Sequence, residues 1–119
     1  MLNDTICAVA TADVMGAVSL IRISGEEAIE IAGRLIGRDL SHQAGYTIVY
    51  GTVKDHDEPV DDVLVSVFRE PKSYTGEDVV ELGCHGGVFI THRILSLVLG
   101  AGARMAKRGE FTERAFLNG

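Results

Sequence analysis

One carboxylate, Glu81, lies inside an apolar segment that predicts a β-strand over residues 78–82. Its neighbours Val79, Val80 and Leu82 favour an extended, half-buried strand. Carboxylates are seldom buried unless another group pairs with them, and the surrounding sequence offers Glu81 no obvious counter-charge. Glu81 therefore either pairs with a buried arginine from elsewhere in the chain or accepts two parallel N–H bonds from a ligand.

The residues that follow this strand are typical of a ligand-binding corner. Gly83, Gly86 and Gly87 allow the backbone to approach another group closely, and a helix predicted from residue 88 presents unpaired N–H groups at its start. We expect these glycines and His85 to form a pocket wall. Cys84 and His85 are a nucleophile and a base by type, yet adjacent residues at a strand end rarely face each other. A core cysteine and a loop histidine are therefore expected, and no residue is assigned a catalytic role.

A second candidate is Arg22, near the end of a strand predicted over residues 17–23. By pattern alone, Arg22 is either an edge arginine, in solvent or in a salt bridge, or a ligand contact. A guanidinium binds anionic and carbonyl oxygens well. Both explanations stay open on the residue type and position alone.

Neither the acidic residues nor the cysteines form a metal-ligand pattern. The acidic cluster lacks the glycine and the distal glutamate of a calcium loop and predicts a solvated turn; it consists of Asp55, Asp57, Glu58, Asp61 and Asp62. Cys7 and Cys84 are the two cysteines, and they make no disulfide framework. This usage fits a reducing cytoplasm.

Composition restricts both the fold and the partners. The 119 residues suit one domain, and an apolar fraction of 46% is enough for one core. Seventeen acidic residues against eleven basic ones give a net charge of −6, which argues against this chain alone holding an RNA backbone. The first residues lack the basic segment of a signal peptide, and the apolar runs are too short to span a membrane.

Strand and helix patterns alternate irregularly and predict an α+β fold, with a mixed, partly antiparallel sheet of about five strands and about three helices. Alternation over residues 45–54 and 60–68 predicts an antiparallel hairpin. Ser24 and Glu27 match a capping box, which opens a helix that Gly37 ends. The other expected elements are strands over 5–10 and 17–23, a turn over 11–16, helices over 88–99 and 111–117, and a candidate edge strand over 103–106.

Three segments resemble, in the right order, the N-terminal domain of the MnmE family (also called TrmE), whose members are tRNA-modification GTPases. They are L-I-R-I-S-G at 20–25, T-G-E-D-V-V-E-L-G-C-H-G-G at 75–87 and R-G-E-F-T-E-R-A-F-L-N-G at 108–119. The similarity extends from residue 4 to residue 119. It implies that residues 1–119 are a single folate-binding and dimerisation domain, related in fold to the glycine-cleavage T-protein.

The resemblance also implies a ligand, 5-formyl- or 5,10-methylene-tetrahydrofolate, and matches two family folate contacts to Arg22 and Glu81. The pterin edge carries N3–H beside a 2-amino group, a donor pair that suits a carboxylate on a strand. The family's third contact in this region is a lysine directly after F-L-N-G. That position would follow Gly119, so this contact is not assigned. Residues 12–15 depart from the Pro-Gly turn of many relatives, which leaves the contour of that loop open.

The other activities that the resemblance implies belong to domains of the family's proteins that we do not expect in this chain. It contains no G-x-x-x-x-G-K-[ST] phosphate loop, so we expect a fragment or a short relative without the helical and GTPase domains, which would hold GTP, magnesium and potassium. By resemblance, the family forms homodimers and works in the cytoplasm with the flavin-dependent protein MnmG (GidA). Together they modify C5 of the wobble uridine of certain tRNAs, and tRNA would bind the full assembly.

Two other function classes stay open. One is a dimerisation module whose folate pocket is vestigial. The other is a folate-dependent aminomethyltransferase of the glycine-cleavage type. Such an enzyme needs a longer chain and a catalytic aspartate, and the sequence offers no candidate for that aspartate.

Overall fold

The computed structural model describes residues 4–10 and 18–119, and in this part the chain forms six strands and three helices. The turn expected over 11–16 lies outside the described residues. The strands are β1 Ile6–Val9, β2 Ser19–Ser24, β3 Thr47–Asp55, β4 Glu58–Phe68, β5 Val79–Cys84 and β6 Arg104–Met105. The helices are α1 Ala28–Ile36, α2 Gly87–Gly100 and α3 Glu110–Leu117. The predicted α+β class is confirmed.

The six strands join one sheet in the order β3-β4-β5-β2-β1-β6. Neighbouring strands are antiparallel except β1 and β6, which pair in parallel, so the sheet is mixed as predicted. The candidate edge strand is confirmed as the two-residue β6, which brings the number of strands to six. β2 and β5 are the central pair, and their contact brings two of the three motif segments side by side.

One face of the sheet, which we call the helix face, packs against α1 and α2 and forms the core. Strand side chains alternate between the two faces, and the alternation predicted for Val63, Val65 and Val67 is confirmed because all three are fully buried. α1 buries an apolar stripe, which includes Ile31 and Ala32. Among the described residues, no helix has the length and apolar character needed to cross a membrane.

The start of α1 differs from the predicted capping box. Ser24 is still part of the β2–β5 ladder, and its hydroxyl is 2.7 Å from Thr75 Oγ1 and donates to Glu77 Oε1 at 2.7 Å. Glu27 is the N-cap residue, without a side-chain cap bond, and its N–H donates to Thr5 Oγ1 at 3.0 Å. Thr5, the residue before β1, therefore caps the helix in place of Ser24, because strand pairing holds Ser24 in the sheet.

β3 and β4 form the predicted hairpin, which a two-residue turn closes at His56 and Asp57. Both residues have positive φ, 49° and 70°, as a turn matched to the strand twist requires. Arg93 of α2 binds Asp55 at 3.3 Å and also binds Glu58. The acidic turn is thus partly paired rather than wholly solvated, because α2 brings an arginine to it.

The second face of the sheet, which we call the open face, is covered only in part. Its residues form rows across the strands, since antiparallel partners share a face. One row is Ile48, Ser66, Glu81, Arg22 and Ala8, and the next is Tyr50, Leu64, Gly83 and Leu20. Ile48 and Tyr50 are 65% and 63% exposed, so much of this face meets solvent.

A buried arginine holds α3 in place. Arg114 has no exposed surface, and its guanidinium donates to the carboxylates of Asp4, Glu77 and Glu110 at 2.5 to 3.4 Å. Arg104 of β6 binds Asp4 at 2.6 Å and Glu110 at 2.7 Å. These contacts join the residues before β1, the loop before β5 and α3. They explain why an eight-residue helix, too short to be stable alone, is ordered here.

This network predicts a loss of stability in acid. The hydrogen bond from Arg104 lowers the pKa of Glu110 from 4.5 to about 2, and Arg104 also lowers the pKa of Asp4. A carboxyl group with a lowered pKa in the folded protein stabilises it fully above the unfolded pKa, and that contribution disappears as the pH falls. We expect the free energy of unfolding, measured with urea, to decrease as the pH falls from about 4.5 to about 2.

The variant Glu110→Gln tests the assignment of this effect. It should be less stable than wild type at neutral pH and should lose less stability over the acidic interval, because one of the titrating groups is gone. Glu113→Gln, an exposed neighbour on α3, is the matched control and should keep the wild-type pH profile. The same acid sensitivity in Glu110→Gln and wild type would contradict the prediction.

Candidate functional site

Arg22 and Glu81 are direct neighbours on the open face. They lie opposite each other on the neighbouring strands β2 and β5. Nε of Arg22 donates to Oε2 of Glu81 at 2.9 Å, and Nη2 lies 2.8 Å from the same oxygen in an ion pair. The two side chains are 22% and 21% exposed. Glu81 therefore pairs with an arginine from elsewhere in the chain, which is one of the two alternatives that the sequence left open, although this arginine is partly exposed rather than buried. The sheet supplies the counter-charge from a residue 59 positions away.

Part of each charged group has no hydrogen-bond partner among the residues that the structure describes. A carboxylate has acceptor sites on both oxygens, and a guanidinium has five N–H donors. Within residues 4–10 and 18–119, no hydrogen bond reaches Oε1 of Glu81 or leaves Nη1 of Arg22. A ligand with N–H donors can therefore bind Oε1 of Glu81, and a ligand with an acceptor can bind Nη1 of Arg22 at the same place.

Two aromatic rings flank Arg22, and the sequence patterns did not assign either of them to the site. The Arg22 Cζ atom is 4.9 Å from the centre of the Tyr74 ring and 5.6 Å from that of Phe111, within the range of cation–π contacts. The Tyr74 hydroxyl is 2.8 Å from Thr112 Oγ1, which ties the loop before β5 to α3. The sequence contained one indication of their role. Phe111 lies within a segment that carries the family resemblance, and Tyr74 directly precedes another.

Of the four predicted pocket-wall residues, Gly83 lies on the open face beside the ion pair. It follows Glu81 by two positions on β5 and stands between Leu64 and Leu20. A Cβ atom at Gly83 would lie 3.7 Å from the Leu64 carbonyl oxygen and 3.8 Å from Val18 Cγ1, which are ordinary contacts. The glycine leaves a shallow gap in this row, and its role in a pocket stays a prediction.

The other three pocket-wall residues, His85, Gly86 and Gly87, form the turn from β5 into α2. The backbone N–H groups of His85 and Gly86 donate to Asp61 Oδ2 at 2.8 and 3.1 Å. A Cβ atom on Gly86 would lie 2.6 Å from Ile90 Cβ, and Gly87 has a φ of +85°. The turn itself therefore requires both glycines, and ligand contacts of these three residues stay predictions.

Cys84 is a core residue, as expected, rather than a nucleophile. It is fully buried, and burial raises the pKa of its thiol to about 12, so the thiol stays protonated at neutral pH. His85 is an exposed loop residue whose Nδ1 lies 3.1 Å from the Asp62 carbonyl oxygen. In the part of the chain that the structure describes, no group of three or more His, Cys, Asp or Glu residues is arranged to hold a metal ion.

A cavity of about 670 Å³ lies beside α1 and does not include Arg22 or Glu81. Charged residues of both signs line it, among them Glu26, Arg38 and Arg69. Arg69 donates to the backbone carbonyls of residues 40, 41 and 43 at 2.8 to 3.2 Å, so it serves the fold. We therefore regard the ion pair on the open face, rather than this cavity, as the candidate site.

Comparison with known proteins gives one family model and its curated relatives. The model described as "GTP-binding protein TrmE N-terminus" matches residues 5–119. The chain is 53% identical over 119 residues to the tRNA modification GTPase MnmE of Lacticaseibacillus paracasei and 50% identical over 124 residues to that of Bacteroides fragilis. These alignments cover 98% and 100% of the chain and 26% of each relative. The chain thus spans about a quarter of the length of the curated relatives it matches.

The Arg22–Glu81 contact should be measurable as a coupling in stability. Both side chains are partly exposed, so we expect a coupling free energy of about 0.5–1 kcal/mol. Urea denaturation of wild type, Arg22→Met, Glu81→Ala and the double variant gives this value. The more exposed Glu30–Arg34 pair of α1, at 3.7 Å, is the control and should couple more weakly. If the losses in the free energy of unfolding caused by Arg22→Met and Glu81→Ala are strictly additive in the double variant, the two charges do not interact in solution.

Proposed function

This chain belongs to the TrmE N-terminal domain family, and we propose that it binds a reduced folate, 5-formyl- or 5,10-methylene-tetrahydrofolate, at Arg22 and Glu81. The observation that carries the proposal is the cross-strand pairing of these two residues on the open face. Both positions match folate contacts of the family, and they lie far apart in sequence. Their meeting at one accessible place supports a shared ligand.

The chemistry of the pair suits a pterin. The N3–H and 2-amino group of a pterin are parallel donors, and an ionised carboxylate accepts such a pair as charge-assisted, bidentate bonds. Bidentate binding needs both oxygens of Glu81, so the ligand takes Oε2 from Arg22. Arg22 is then available for an oxygen of the ligand. The neighbouring row, with Leu64, Gly83 and Leu20, gives flat apolar surface for the rest of a ring system.

The proposed wider role follows the curated relatives, which are tRNA modification GTPases. The folate bound here would supply the one-carbon unit for an aminomethyl-type group at C5 of wobble uridine in tRNA. The flavin-dependent MnmG (GidA) protein would be the partner, in the cytoplasm. GTP, magnesium and potassium would bind a GTPase domain outside this chain. The net charge of −6 supports binding of tRNA by the full assembly rather than by this domain.

We further propose that the open face pairs with a second copy of the chain. Several exposed apolar side chains lie on this face, among them Val18, Ile48, Tyr50 and Leu64. β3 is an edge strand of the sheet, and an uncovered edge beside an apolar surface favours association. A homodimer would cover both features.

Folate binding should depend on Glu81. We expect 5-formyl-tetrahydrofolate to raise the melting temperature of the chain, because ligand at 100 times its dissociation constant stabilises by roughly 2.7 kcal/mol. For a domain of this size, that corresponds to about 10 °C, within a factor of two. Glu81→Ala should abolish the shift and Arg22→Ala should weaken it. Thermal denaturation with folate up to millimolar concentration measures these effects.

Glu30→Ala is the matched control for Glu81→Ala. Glu30 is an exposed carboxylate on α1, which packs on the helix face, so the folate-induced shift should stay at its wild-type value. GTP in place of folate should produce no shift, since the chain has no phosphate loop. A folded wild-type dimer that folate never stabilises would favour the dimerisation module with a vestigial pocket.

Dimerisation should depend on the open face. We expect light scattering to give a mass near twice 12.8 kDa for the wild type and near the monomer mass for Ile48→Glu. The substitution places a carboxylate in an interface that would otherwise exclude water. Ser96→Glu, an exposed position on α2, adds the same charge elsewhere and should leave the dimer intact. A monomeric wild type at tens of micromolar would refute dimerisation by this chain.

A further inference from the structure

We propose that Tyr74 and Phe111, here called the aromatic clamp, are positioning residues that keep the Arg22 guanidinium at the site when Glu81 turns to a ligand. This inference rests on the proposed folate function and concerns the same site. Both rings lie within 6 Å of the Arg22 Cζ atom, at 4.9 and 5.6 Å. Arg22 is thus held in two ways, by the carboxylate of Glu81 and by the two ring faces.

The Tyr74 side of the clamp is fixed by the loop before β5. The neighbouring Thr75 is fully buried, with its hydroxyl 2.7 Å from Ser24 Oγ. Asn118 donates from Nδ2 to the Thr75 carbonyl at 3.0 Å. A Cβ atom on Gly76 would lie 2.7 Å from Asn118 Cβ, so the loop and the end of α3 are in close contact. The backbone that carries Tyr74 therefore has little freedom to move.

The Phe111 side of the clamp is fixed by α3. Arg114 lies one turn further along this helix and binds Glu77 and Glu110. The hydroxyl of Tyr74 is 2.8 Å from Thr112 Oγ1, directly after Phe111 in the chain, which joins the two halves of the clamp. The backbone that carries each ring is thus held by contacts that do not include Arg22 or Glu81, so it keeps its place when the ion pair opens.

Ligand binding would weaken one of the two interactions that hold Arg22, the ion pair with Glu81, and leave the other, the contact with the aromatic clamp. Once Glu81 accepts donors from a ligand, the ion pair weakens and Arg22 depends on the clamp for its position. Without the rings, a flexible arginine on a solvent-facing surface would have to be ordered again for each binding event, which costs affinity. The clamp also favours arginine over lysine, because a planar guanidinium stacks on aromatic rings and an ammonium group does not.

The test is a binding cycle on the 119-residue chain, with 5-formyl-tetrahydrofolate as the probe and isothermal titration calorimetry as the measurement. Phe111→Leu should weaken binding by about fivefold, in line with one cation–π contact at a partly exposed site. In the Arg22→Ala background the same change should have almost no effect, because the clamp acts through Arg22. Phe116→Leu is the matched control: the same substitution on the same helix, at a residue that is 83% exposed.

A second readout needs no ligand. Protons held over an aromatic face resonate upfield, so the Arg22 side-chain signals of the free protein should move downfield in Phe111→Leu and in Tyr74→Leu. Unchanged Arg22 signals would overturn the inference, as would a loss of folate affinity in Phe111→Leu that is equally large without Arg22. Wild type that binds no folate while its Arg22 signals respond to Phe111→Leu would refute the proposed function and, with it, the role of the clamp in binding, and would leave only the contact between the rings and Arg22 established.

Discussion

The buried guanidinium of Arg114 is the contact on which the open face depends. It is fully enclosed and shares the carboxylates of Asp4, Glu77 and Glu110, and such a charge is strongly destabilising if its partners are removed. These partners come from three separate parts of the chain. The network therefore fixes the residues before β1, the loop before β5 and α3 as one unit. Phe111 is part of that unit, so the surroundings of the candidate site are set by an arginine that does not belong to it.

The two faces of the sheet have different tasks. The helix face buries the β-branched and leucine side chains of the central strands under α1 and α2 and carries most of the hydrophobic stabilisation. The open face contributes little to that core. It is therefore free to carry an ion pair, whose burial would cost desolvation free energy, beside a glycine gap and exposed tyrosine and isoleucine side chains. A small domain gains both a stable core and an adaptable surface from one sheet by this division.

Sequence patterns predicted the fold class, the hairpin and all three helices, because these depend on local spacing of apolar residues. They did not predict that Arg22 and Glu81 are partners, since the register between β2 and β5 is set by tertiary pairing. The capping box at Ser24 was wrong for the same reason: the sheet ladder retains Ser24, and Thr5 caps α1 instead. Tyr74, one of the two aromatic neighbours of Arg22, was missed because it lies in a loop, which has no periodicity to interpret.

The ion pair also bears on how selective the proposed site is. Two opposite charges that satisfy each other keep the empty site stable, so a ligand gains only the difference between its own contacts and those it replaces. A molecule with two donors and no acceptor would displace Arg22 from Oε2 of Glu81 and leave the guanidinium without compensation. A molecule with two parallel donors for Glu81 and an acceptor for Arg22 compensates both charges at once. Discrimination then arises from the cost of leaving either charge unpaired. The ion pair lowers the affinity of every ligand that must displace Arg22, and it thereby raises selectivity for the ligand with the matching edge.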